Sequence, residues 1–297
     1  VFHIVRLKRR HGTFDTYFTV NAFTAWVGNI LKKLRLVRET IFWVWDYYPP
    51  FHHSKIILFM RWLYWQFDKR ATHADRLVFL NRRLETLRKD IGILPKNRAY
   101  TIIPIGTNLI RHEFRYPKKP RLCFVGVLKK SQGMDKVFDE SALLRKEYPN
   151  ISLDIIGAGP DERYFRKRAK QSSLPTAFHG LMQITDSRVR AIMSHVSIGV
   201  APYIPDESNV SFYGDPSKND DYLSFGIPVI ATDVFVFSKE IAKEKAGIII
   251  DYFKPGELVR AVKKILNDYR FYSQNARKLS QKYYYQKIYR RMFDLSF

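Results

Sequence analysis

Residues 121–160 decide the fold of this protein, and they read RLCFVGVLKK SQGMDKVFDE SALLRKEYPN ISLDIIGAGP. Apolar residues run through Leu122–Val127 and Ile151–Ile156, as in buried strands, whereas Asp135–Glu147 between them carries apolar residues at helical spacing. A strand, a helix and a second strand in this order predict a βαβ unit with parallel strands. A glycine follows each predicted strand, where a tight turn is expected.

The same alternation continues on both sides of this stretch. On the C-terminal side we predict strands at Ala177–Gly180, Ser197–Ala201, Pro228–Ala231 and Gly247–Asp251, and helices at Glu162–Lys170, Arg188–His195, Lys218–Phe225, Ser238–Lys245 and Pro255–Leu266. On the N-terminal side the pattern is less regular, with strands at Asp15–Val20, Thr40–Trp45, Leu77–Leu80 and Tyr100–Ile105, and helices at Phe23–Leu34, Lys55–Thr72 and Asn81–Lys89. Repeated units of this kind predict an α/β fold with doubly wound parallel sheets.

The length of the chain predicts two domains, because a domain has roughly 150 residues and the chain has 297. The polar, proline-bounded segment Pro117–Pro120 is the expected linker. It places one Rossmann-like domain at residues 1–116 and a second at 117–297, with the last helix returning to the first domain. No strand with a glycine-rich loop precedes Phe14 and the chain does not begin with Met, so we expect the first domain to be incomplete and the natural N-terminal segment to be absent.

The charge of the chain points to an anionic partner. Lys and Arg number 51 against 28 Asp and Glu, a net charge of +23. Residues 1–118 contain 22 basic and 8 acidic residues, so the excess is concentrated there. Nucleic acid, an acidic lipid surface and a phosphorylated substrate all fit this charge. With 46% apolar residues, a packed core is expected and intrinsic disorder is excluded.

Several features bear on location. The most apolar stretch, Ile56–Phe67, contains Arg61 and is shorter than the ~20 residues that span a bilayer. The basic opening residues do not form a signal peptide. The single cysteine, Cys123, excludes an internal disulfide and a zinc site built on paired thiolates. A reducing, cytoplasmic compartment fits these features best, and peripheral contact of the basic first domain with the inner face of the cell membrane is one of the partners that the charge leaves open.

Three segments are expected at the carboxyl ends of strands in the second domain, where α/β folds bind ligands. They are Phe124–Gly133 with Gly126, Lys129 and Lys130, Gly157–Pro160, and Tyr213–Gly226. Each has a structural explanation on its own: a tight turn, a solvated lysine pair, or a helix start capped by Asp215. Their convergence on one rim of one sheet favours a site for an anionic ligand.

The order of short motifs in this half of the chain resembles a known family. Phe-Val-Gly, Gly-Met-Asp, Ile-Ile-Gly-Ala-Gly-Pro, Phe-His-Gly, Ala-Pro-Tyr, Asp-Pro-Ser-Lys and Tyr-Leu-Ser-Phe-Gly-Ile-Pro-Val-Ile-Ala-Thr follow one another over residues 121–270. They resemble the nucleotide-sugar domain of GT-B glycosyltransferases, and are most similar to glycosyltransferase family 4 (glycosyl transferases group 1). Ala74–Val78 and Ile103–Asn108 are similar to the end of that family's acceptor domain.

The resemblance implies donor-binding roles for particular residues. Asp221 matches the second of the family's paired glutamates, which holds the nucleotide ribose, and Lys218 lies one helical turn earlier, placed to meet a phosphate. The segment with Gly214 and Asp215 would line the sugar. Five residues would frame the base and ribose: Gly157, Gly159, Pro160, His179 and Gly180.

Some positions depart from the family pattern. The family's first glutamate falls at Tyr213, and its diphosphate-binding Arg and Lys fall at Val127 and Gln132. We expect the nearby cations Lys129, Lys130 and Lys218 to substitute, because Asp-Pro-x-Lys resembles a variant of the family, with some likeness to glucuronosyltransferases of polysaccharide assembly. Loss of activity is the alternative.

The resemblance implies transfer of a sugar from a UDP-, GDP- or other nucleotide-sugar to a hydroxyl of a lipid-linked or polysaccharide acceptor, with retention at the anomeric carbon. Neither a metal nor a cofactor is expected, and no Asp-x-Asp stands in a strand-end loop. The alternatives are a nucleic-acid-binding protein, which the charge motivates but no motif supports, and a GT-B nucleotide-sugar epimerase.

Two features of the first domain carry further hypotheses. Asp46 follows a predicted strand and is a candidate base toward an acceptor hydroxyl, or it caps a loop. The predicted helix Lys55–Thr72 combines apolar and basic residues, and is either a membrane-surface helix or an ordinary domain helix. Its relevant residues are Phe59, Trp62, Leu63 and Trp65 with Arg61, Lys69 and Arg70.

Overall fold

The computed structural model describes Arg6 and residues 12–97, 99–108, 116–182, 186–206 and 209–293. These residues divide into two compact units, each with a parallel sheet and helices. Unit 1 holds the described residues up to Pro104, together with Tyr213–Asp215 and the segment from Tyr289 to Phe293. Unit 2 holds the described residues between Ile105 and Phe212 and those from Pro216 to Ile288.

Among the described residues of unit 1, four parallel strands form a sheet in the order β1-β2-β3-β4. The strands are β1 (Phe14–Thr19), β2 (Val37–Val44), β3 (Arg76–Phe79) and β4 (Thr101–Ile102), and the helices are α1 (Ala22–Lys33), α2 (Lys55–Ala71) and α3 (Arg82–Asp90). The end of β2 is buried, since Ile41 to Val44 are nearly inaccessible. Asn21 and Asn81 cap α1 and α3 by accepting hydrogen bonds from backbone N–H groups of the first turn.

Unit 2 has a sheet of six described strands, all parallel, in the order β7-β6-β5-β8-β9-β10. The strands are β5 (Arg121–Val125), β6 (Ser152–Ile156), β7 (Thr176–Phe178), β8 (Ile198–Ala201), β9 (Val229–Thr232) and β10 (Gly247–Ile250). The helices are α4 (Asp135–Asp139), α5 (Ser141–Glu147), α6 (Glu162–Gln171), α7 (Ser187–Met193), α8 (Lys218–Ser224), α9 (Ser238–Lys243), α10 (Glu257–Asn267), α11 (Tyr269–Lys282) and α12 (Tyr285–Phe293), the last of which passes into unit 1 at Tyr289.

The strand order of unit 2 reverses between β5 and β8, and this reversal positions the site. Chain connections leave in opposite directions from such a pair of strands, so a crevice opens at their carboxyl ends. Two apolar clusters cover the two faces of the sheet, one built on α4, α5, α6 and α10 and the other on α7, α8 and α9. Both faces are therefore closed to solvent, and the loops at the strand ends are left to meet a ligand.

The predicted α/β fold with two Rossmann-like units is confirmed, and most predicted elements lie within one or two residues of the observed ones. The predicted helix Asp135–Glu147 is instead two helices that break at Glu140. The buried Glu140 carboxylate accepts hydrogen bonds from the backbone N–H groups of Gly256 and Val259, at 2.9 and 3.0 Å. The Glu140 carboxylate thereby caps the start of α10, and the local spacing of residues does not reveal this tertiary contact. The predicted strand Tyr100–Ile105 shortens to β4.

The change from unit 1 to unit 2 falls after Pro104, whereas the sequence suggested the linker at Pro117–Pro120. The reason is a set of hydrogen bonds made by Thr107. Its backbone N–H donates to the carbonyl of Tyr283 at 2.8 Å, and its hydroxyl donates to the carbonyl of Ser280 at 2.7 Å. The segment that follows β4 is therefore held by the C-terminal part of α11.

Helix α2 is the longest described helix, with 17 residues. It packs against α1, and Asp68 and Ala71 are its buried residues. The described helices include none with the length and apolar character needed to cross a membrane.

Candidate functional site

The centre of the candidate site in unit 2 is the side chain of Lys218, the first residue of α8. Its Nζ donates a hydrogen bond to Oε1 of Gln132 at 2.8 Å. It also lies 4.0 Å from the ring centroid of Phe124 on β5 and 4.7 Å from that of Tyr203, which follows β8. Since β5 and β8 flank the reversal of strand order, the ammonium lies at the expected ligand crevice.

The ammonium of Lys218 is costly to bury. Residue Lys218 is only 6% exposed, and within the described part of the chain its Nζ makes a single hydrogen bond. Burial lowers the pKa of Lys218 to about 7, because a charge away from water loses solvation that one amide oxygen and two aromatic faces do not replace. A buried, under-coordinated cation of this kind is suited to an anionic ligand, which would supply the missing interactions.

Gly126 lets the lysine reach this position. Its φ of 140° lies in the region that favours glycine. A Cβ at Gly126 would come within 3.0 Å of the Lys218 Nζ and 3.1 Å of its Cε. Any larger residue would therefore displace the ammonium. The glycine after β5 therefore leaves the space that the Lys218 side chain of α8 occupies.

The glycine-rich turn after β6 has a structural cause. Gly157 has a φ of 152°, and a Cβ there would lie 1.9 Å from the carbonyl oxygen of Gly126. Its N–H donates to the carbonyl of Gly180 at 2.7 Å, and Ala158 accepts from the N–H of Leu128 at 3.0 Å. The turns after β5, β6 and β7 are thus bonded to one another. This packing accounts for the glycine at 157 without a ligand, and it brings the three turns together.

Asp221 lies one turn along α8 from Lys218. Burial raises the pKa of its carboxyl to about 6. Its backbone N–H donates to the carbonyl of Ser217, but no described residue donates a hydrogen bond to its carboxylate. A desolvated carboxylate with free acceptor positions is a suitable partner for a ligand hydroxyl.

The remaining candidates of unit 2 are placed differently from one another. Lys129 and Lys130 are both exposed, and the Nζ of Lys130 lies 4.4 Å from the ring centroid of Tyr164 on α6. His179 follows β7, and its Nε2 lies 2.7 Å from an oxygen of Asp154, a buried residue of β6. Gly159 and Pro160 complete the turn after β6, where Pro160 is exposed and Gly159 half-buried.

Tyr213, Gly214 and Asp215 belong to unit 1. Nδ2 of Asn81 donates to the carbonyl oxygen of Tyr213 at 3.0 Å and to Oδ2 of Asp215 at 2.9 Å. Tyr213 is buried with its ring edge-on to that of Tyr47, at 4.6 Å between centroids. Asn81 follows β3 and Tyr47 follows β2, so the segment is held at the carboxyl edge of the first sheet.

Asp46 lies at this same edge, after β2. Burial raises the pKa of its carboxyl, and the Arg88 guanidinium and a hydrogen bond from Tyr48 oppose this effect. Arg88 is fully buried and donates to the backbone carbonyl of Asp46 at 2.8 Å. A carboxylate with a raised pKa at a strand end is suited to accept a proton.

The sequence did not identify Gln132, Tyr203 and Asn81 as parts of the site. Gln132 was noted only as a missing cation, yet its amide oxygen holds the Lys218 ammonium. Tyr203 stands in the Ala-Pro-Tyr motif directly after β8, and that position was the one available signal. Asn81 reads as an ordinary helix cap, and its contacts to Tyr213 and Asp215 join residues far apart in the chain.

Within the described ranges, no three or more His, Cys, Asp and Glu side chains are grouped so that they could hold a metal ion. His52 and His53 are exposed neighbours in a loop, and the backbone N–H of Ser54 donates to Nδ1 of His52 at 3.0 Å. The side chains that converge in unit 2 are instead the Lys218 ammonium, the Gln132 amide and the rings of Phe124 and Tyr203. This set suits an anionic organic ligand.

Comparison with proteins of known sequence gives one curated relative of note, described as an uncharacterized glycosyltransferase from Haemophilus influenzae. It is 23% identical over 236 residues, which is 73% of this chain. The chain spans 60% of the length of that relative.

Comparison with solved structures gives similar folds. Sucrose-phosphate synthase from Thermosynechococcus elongatus has a TM-score of 0.71 at 17% identity, over 99% of this chain and 78% of that one. Anabaena HepE, solved in complex with UDP, has a TM-score of 0.69 at 12% identity, over 98% of this chain and 80% of that one. Identities this low show the shared fold alone.

The sequence profile of the family described as glycosyl transferases group 1 matches residues 107–284, more than half of the chain. The match contains β5 to β10 and the Lys218 crevice with its glycine turns. The chain therefore belongs to the glycosyl transferases group 1 family, with a GT-B type of fold.

Proposed function

We propose that the protein is a glycosyltransferase that moves a sugar from a nucleotide-diphosphate sugar to a hydroxyl of a lipid-linked or polysaccharide acceptor. The observation that carries this proposal is the buried ammonium of Lys218 at the reversal of strand order, inside the region that matches the family. Because burial lowers the pKa of Lys218 to about 7, a bound diphosphate would favour its protonated form, and the resulting ammonium would stabilise the charge that develops as the diphosphate leaves.

In the proposed reaction the bond between the anomeric carbon and the diphosphate oxygen breaks, and a bond from the acceptor oxygen to the same carbon forms with retention of configuration. Lys218 offsets part of the negative charge on the departing nucleoside diphosphate. Asp221 accepts hydrogen bonds from the ribose hydroxyls of the donor. Asp46 is the proposed acceptor of the proton that the acceptor hydroxyl gives up. The backbone around Gly214–Ser217 would line the sugar.

Lys218 is the proposed replacement for the diphosphate-binding cations that the family places at Val127 and Gln132. The hydrogen bond from its Nζ to Gln132 supports this, because the ammonium then lies beside one of the two positions. Lys129 and Lys130, which are both exposed after β5, are proposed to add positive charge, and the Lys130 ammonium also contacts the ring of Tyr164. Gly126, Gly157, Gly159, Pro160, His179 and Gly180 are proposed to line the nucleotide.

The proposed reaction needs no metal and no cofactor, because the lysines supply the positive charge. UDP is the first nucleotide to test, since HepE is described in complex with UDP. We further propose a cytoplasmic location with peripheral contact to the inner face of the cell membrane, which would bring the site to a lipid-linked acceptor.

Binding of the nucleotide tests the donor site. We expect UDP or GDP to bind in titration calorimetry, with an affinity that EDTA does not change. Lys218→Ala should weaken that binding strongly, whereas Lys170→Ala, an exposed residue of α6, should not. Equal effects of the two substitutions would contradict the donor site.

Product analysis tests the reaction. The protein is incubated with a nucleotide-sugar and with short oligosaccharide or lipid-linked acceptors, and the products are analysed by NMR. A new glycoside whose anomeric configuration matches that of the donor is the expected product. An epimerised nucleotide-sugar without a glycoside would show the other GT-B chemistry, and an inverted glycoside would contradict retention.

A further inference from the structure

Helix α2 presents an apolar stripe to solvent. Its residues stand at helical spacing along one face and are largely exposed: Ile56 73%, Phe59 61%, Met60 62% and Leu63 40%. Spacings of three and four residues place them in one row. Trp62, which is 56% exposed, stacks on Phe59 with 5.8 Å between ring centroids. Such a row of large apolar side chains is normally turned toward a core.

The opposite side of α2 is turned toward the rest of unit 1, and three of its side chains make polar contacts there. Arg61 donates to the carbonyl oxygens of Pro49 and Phe51, each at 2.7 Å. Trp65 Nε1 donates to the carbonyl of Tyr48 at 3.0 Å, and Asp68 pairs with Arg88 at 3.0 Å.

Arg61, Trp65 and Asp68 follow at spacings of four and three residues, so they form a second row that is anchored at each position. The helix is therefore fixed with this anchored row inward. The apolar row faces solvent because the inward contacts dictate that orientation.

Positive charge borders the apolar stripe. Between residues 47 and 74 the sequence has one acidic residue, Asp68, and it is buried. Arg70 continues the exposed face beyond Leu63 and Phe67, and it lines a cavity of about 700 Å³ with Lys32, Lys33 and His73. Trp26 and Ile30 of α1 add apolar lining to the same cavity, and Lys32 also pairs with Asp75.

We propose that the exposed face of α2 is a docking surface for a lipid bilayer that contains anionic lipids. The apolar stripe enters the boundary between headgroups and acyl chains, and the basic cavity at the end of the helix faces the phosphates of the headgroups. A membrane supplies both partners at once, an apolar layer and a negatively charged surface. A second copy of this chain would instead bring two basic borders together, which repel.

This surface specifies the peripheral contact proposed above, yet it uses residues of unit 1 only. Nucleotide binding uses residues of unit 2. Failure of membrane docking and failure of the donor site are therefore measured separately, by vesicle binding and by UDP binding.

The test is flotation of the full chain with phosphatidylcholine vesicles that contain or lack phosphatidylglycerol. We expect binding only to the vesicles with phosphatidylglycerol. Phe59→Ser with Met60→Ser should reduce it by more than tenfold, with unchanged circular dichroism and unchanged UDP binding, since both side chains are exposed. The matched control is Leu181→Ser with Phe253→Ser, which removes two exposed apolar side chains of unit 2 and should leave binding intact.

Two further measurements separate the contributions. Arg70→Gln with Lys33→Gln should weaken binding to the anionic vesicles by about fivefold for each charge removed. Trp62 fluorescence should shift to shorter wavelength on vesicle binding, and Trp62→Phe should remove most of that shift. Equal binding by the stripe variant and its control would overturn the proposal. The proposal would also be overturned if the wild type did not bind vesicles but self-associated, and if the stripe variant abolished that self-association. The stripe would then be an interface between copies of the chain.

Discussion

Replacement of Lys218 by methionine should make the protein more stable and its donor site weaker. Methionine keeps the length of the side chain and suits the aromatic surroundings of Phe124 and Tyr203, but it removes the buried charge. A change that raises stability while it lowers ligand binding is the signature of a residue kept for function.

The magnitude follows from the pKa. Burial places the pKa of Lys218 at about 7 against an ordinary 10.5, which corresponds to about 5 kcal/mol of unfavourable burial of the ammonium. The hydrogen bond to Gln132 is also lost, and the unpaired amide oxygen costs about 1–3 kcal/mol. We therefore expect Lys218→Met to raise the free energy of unfolding by about 2–4 kcal/mol at pH 7.

The pH dependence has a definite sign. The folded pKa of Lys218 lies below the unfolded one, so between pH 7 and 10.5 the unfolded chain binds more protons and the stability of the wild type rises with pH. The advantage of Lys218→Met should be largest at pH 7 and below. It should shrink by about 1.4 kcal/mol per pH unit above pH 7.

The assay is urea denaturation of the wild type and of Lys218→Met at several pH values, with UDP binding measured alongside. Loss of a charge-assisted hydrogen bond of about 1.5–3 kcal/mol should weaken UDP binding by about 10- to 150-fold. Lys170→Met, on the exposed face of α6, is the control and should change neither quantity. A methionine variant that is less stable than the wild type and binds UDP equally well would refute the reasoning.

Further predictions concern other parts of the two proposed sites. Asp221→Asn should weaken UDP binding. The wild type should lose stability as the pH rises from about 4 to 6, because the folded pKa of Asp221 is about 6 and lies above the unfolded value, and the variant should lack this loss. Thermal melts across that pH range measure the difference, and parallel curves for variant and wild type would contradict it. Gly126→Ala should lower stability by about 1–3 kcal/mol and weaken UDP binding, since the new Cβ lies at a φ of 140° and 3.0 Å from the Lys218 ammonium; an alanine variant with normal melting and normal affinity would show that the turn has room. Asp46→Asn should leave UDP binding unchanged and lower turnover by about 10²- to 10⁴-fold, as expected for loss of a proton acceptor; unchanged turnover would remove Asp46 from the mechanism.

The secondary structure of unit 2 followed from local sequence because its strands are short apolar runs bounded by glycine or proline. Buried parallel strands read as continuous apolar stretches, and helices on both faces read at helical spacing. β6 and the turn that begins at Gly157 are examples. The break at Glu140 could not be read in this way, because the carboxylate bonds to Gly256 and Val259, which are distant in sequence.

Helix α2 is a second example of a feature that local sequence does not determine. Its apolar spacing correctly predicted a helix, but spacing does not say which face is buried. The hydrogen bonds of Arg61 and the pairing of Asp68 with Arg88 decide that the face with these two residues is turned inward. The apolar face is thereby left exposed, contrary to the usual expectation for an amphipathic helix.

The sequence by itself determined the alternation of strands and helices, the positive charge, and the candidate functional residues at strand ends. Each of these depends on local sequence and composition alone. Only the tertiary structure decided that Lys218 donates a hydrogen bond to Gln132 between the rings of Phe124 and Tyr203, and that its ammonium is buried away from solvent there. The physical reason is that a pKa and a binding geometry depend on which distant atoms exclude water from a group. The packing of the sheet and its helices determines which atoms these are.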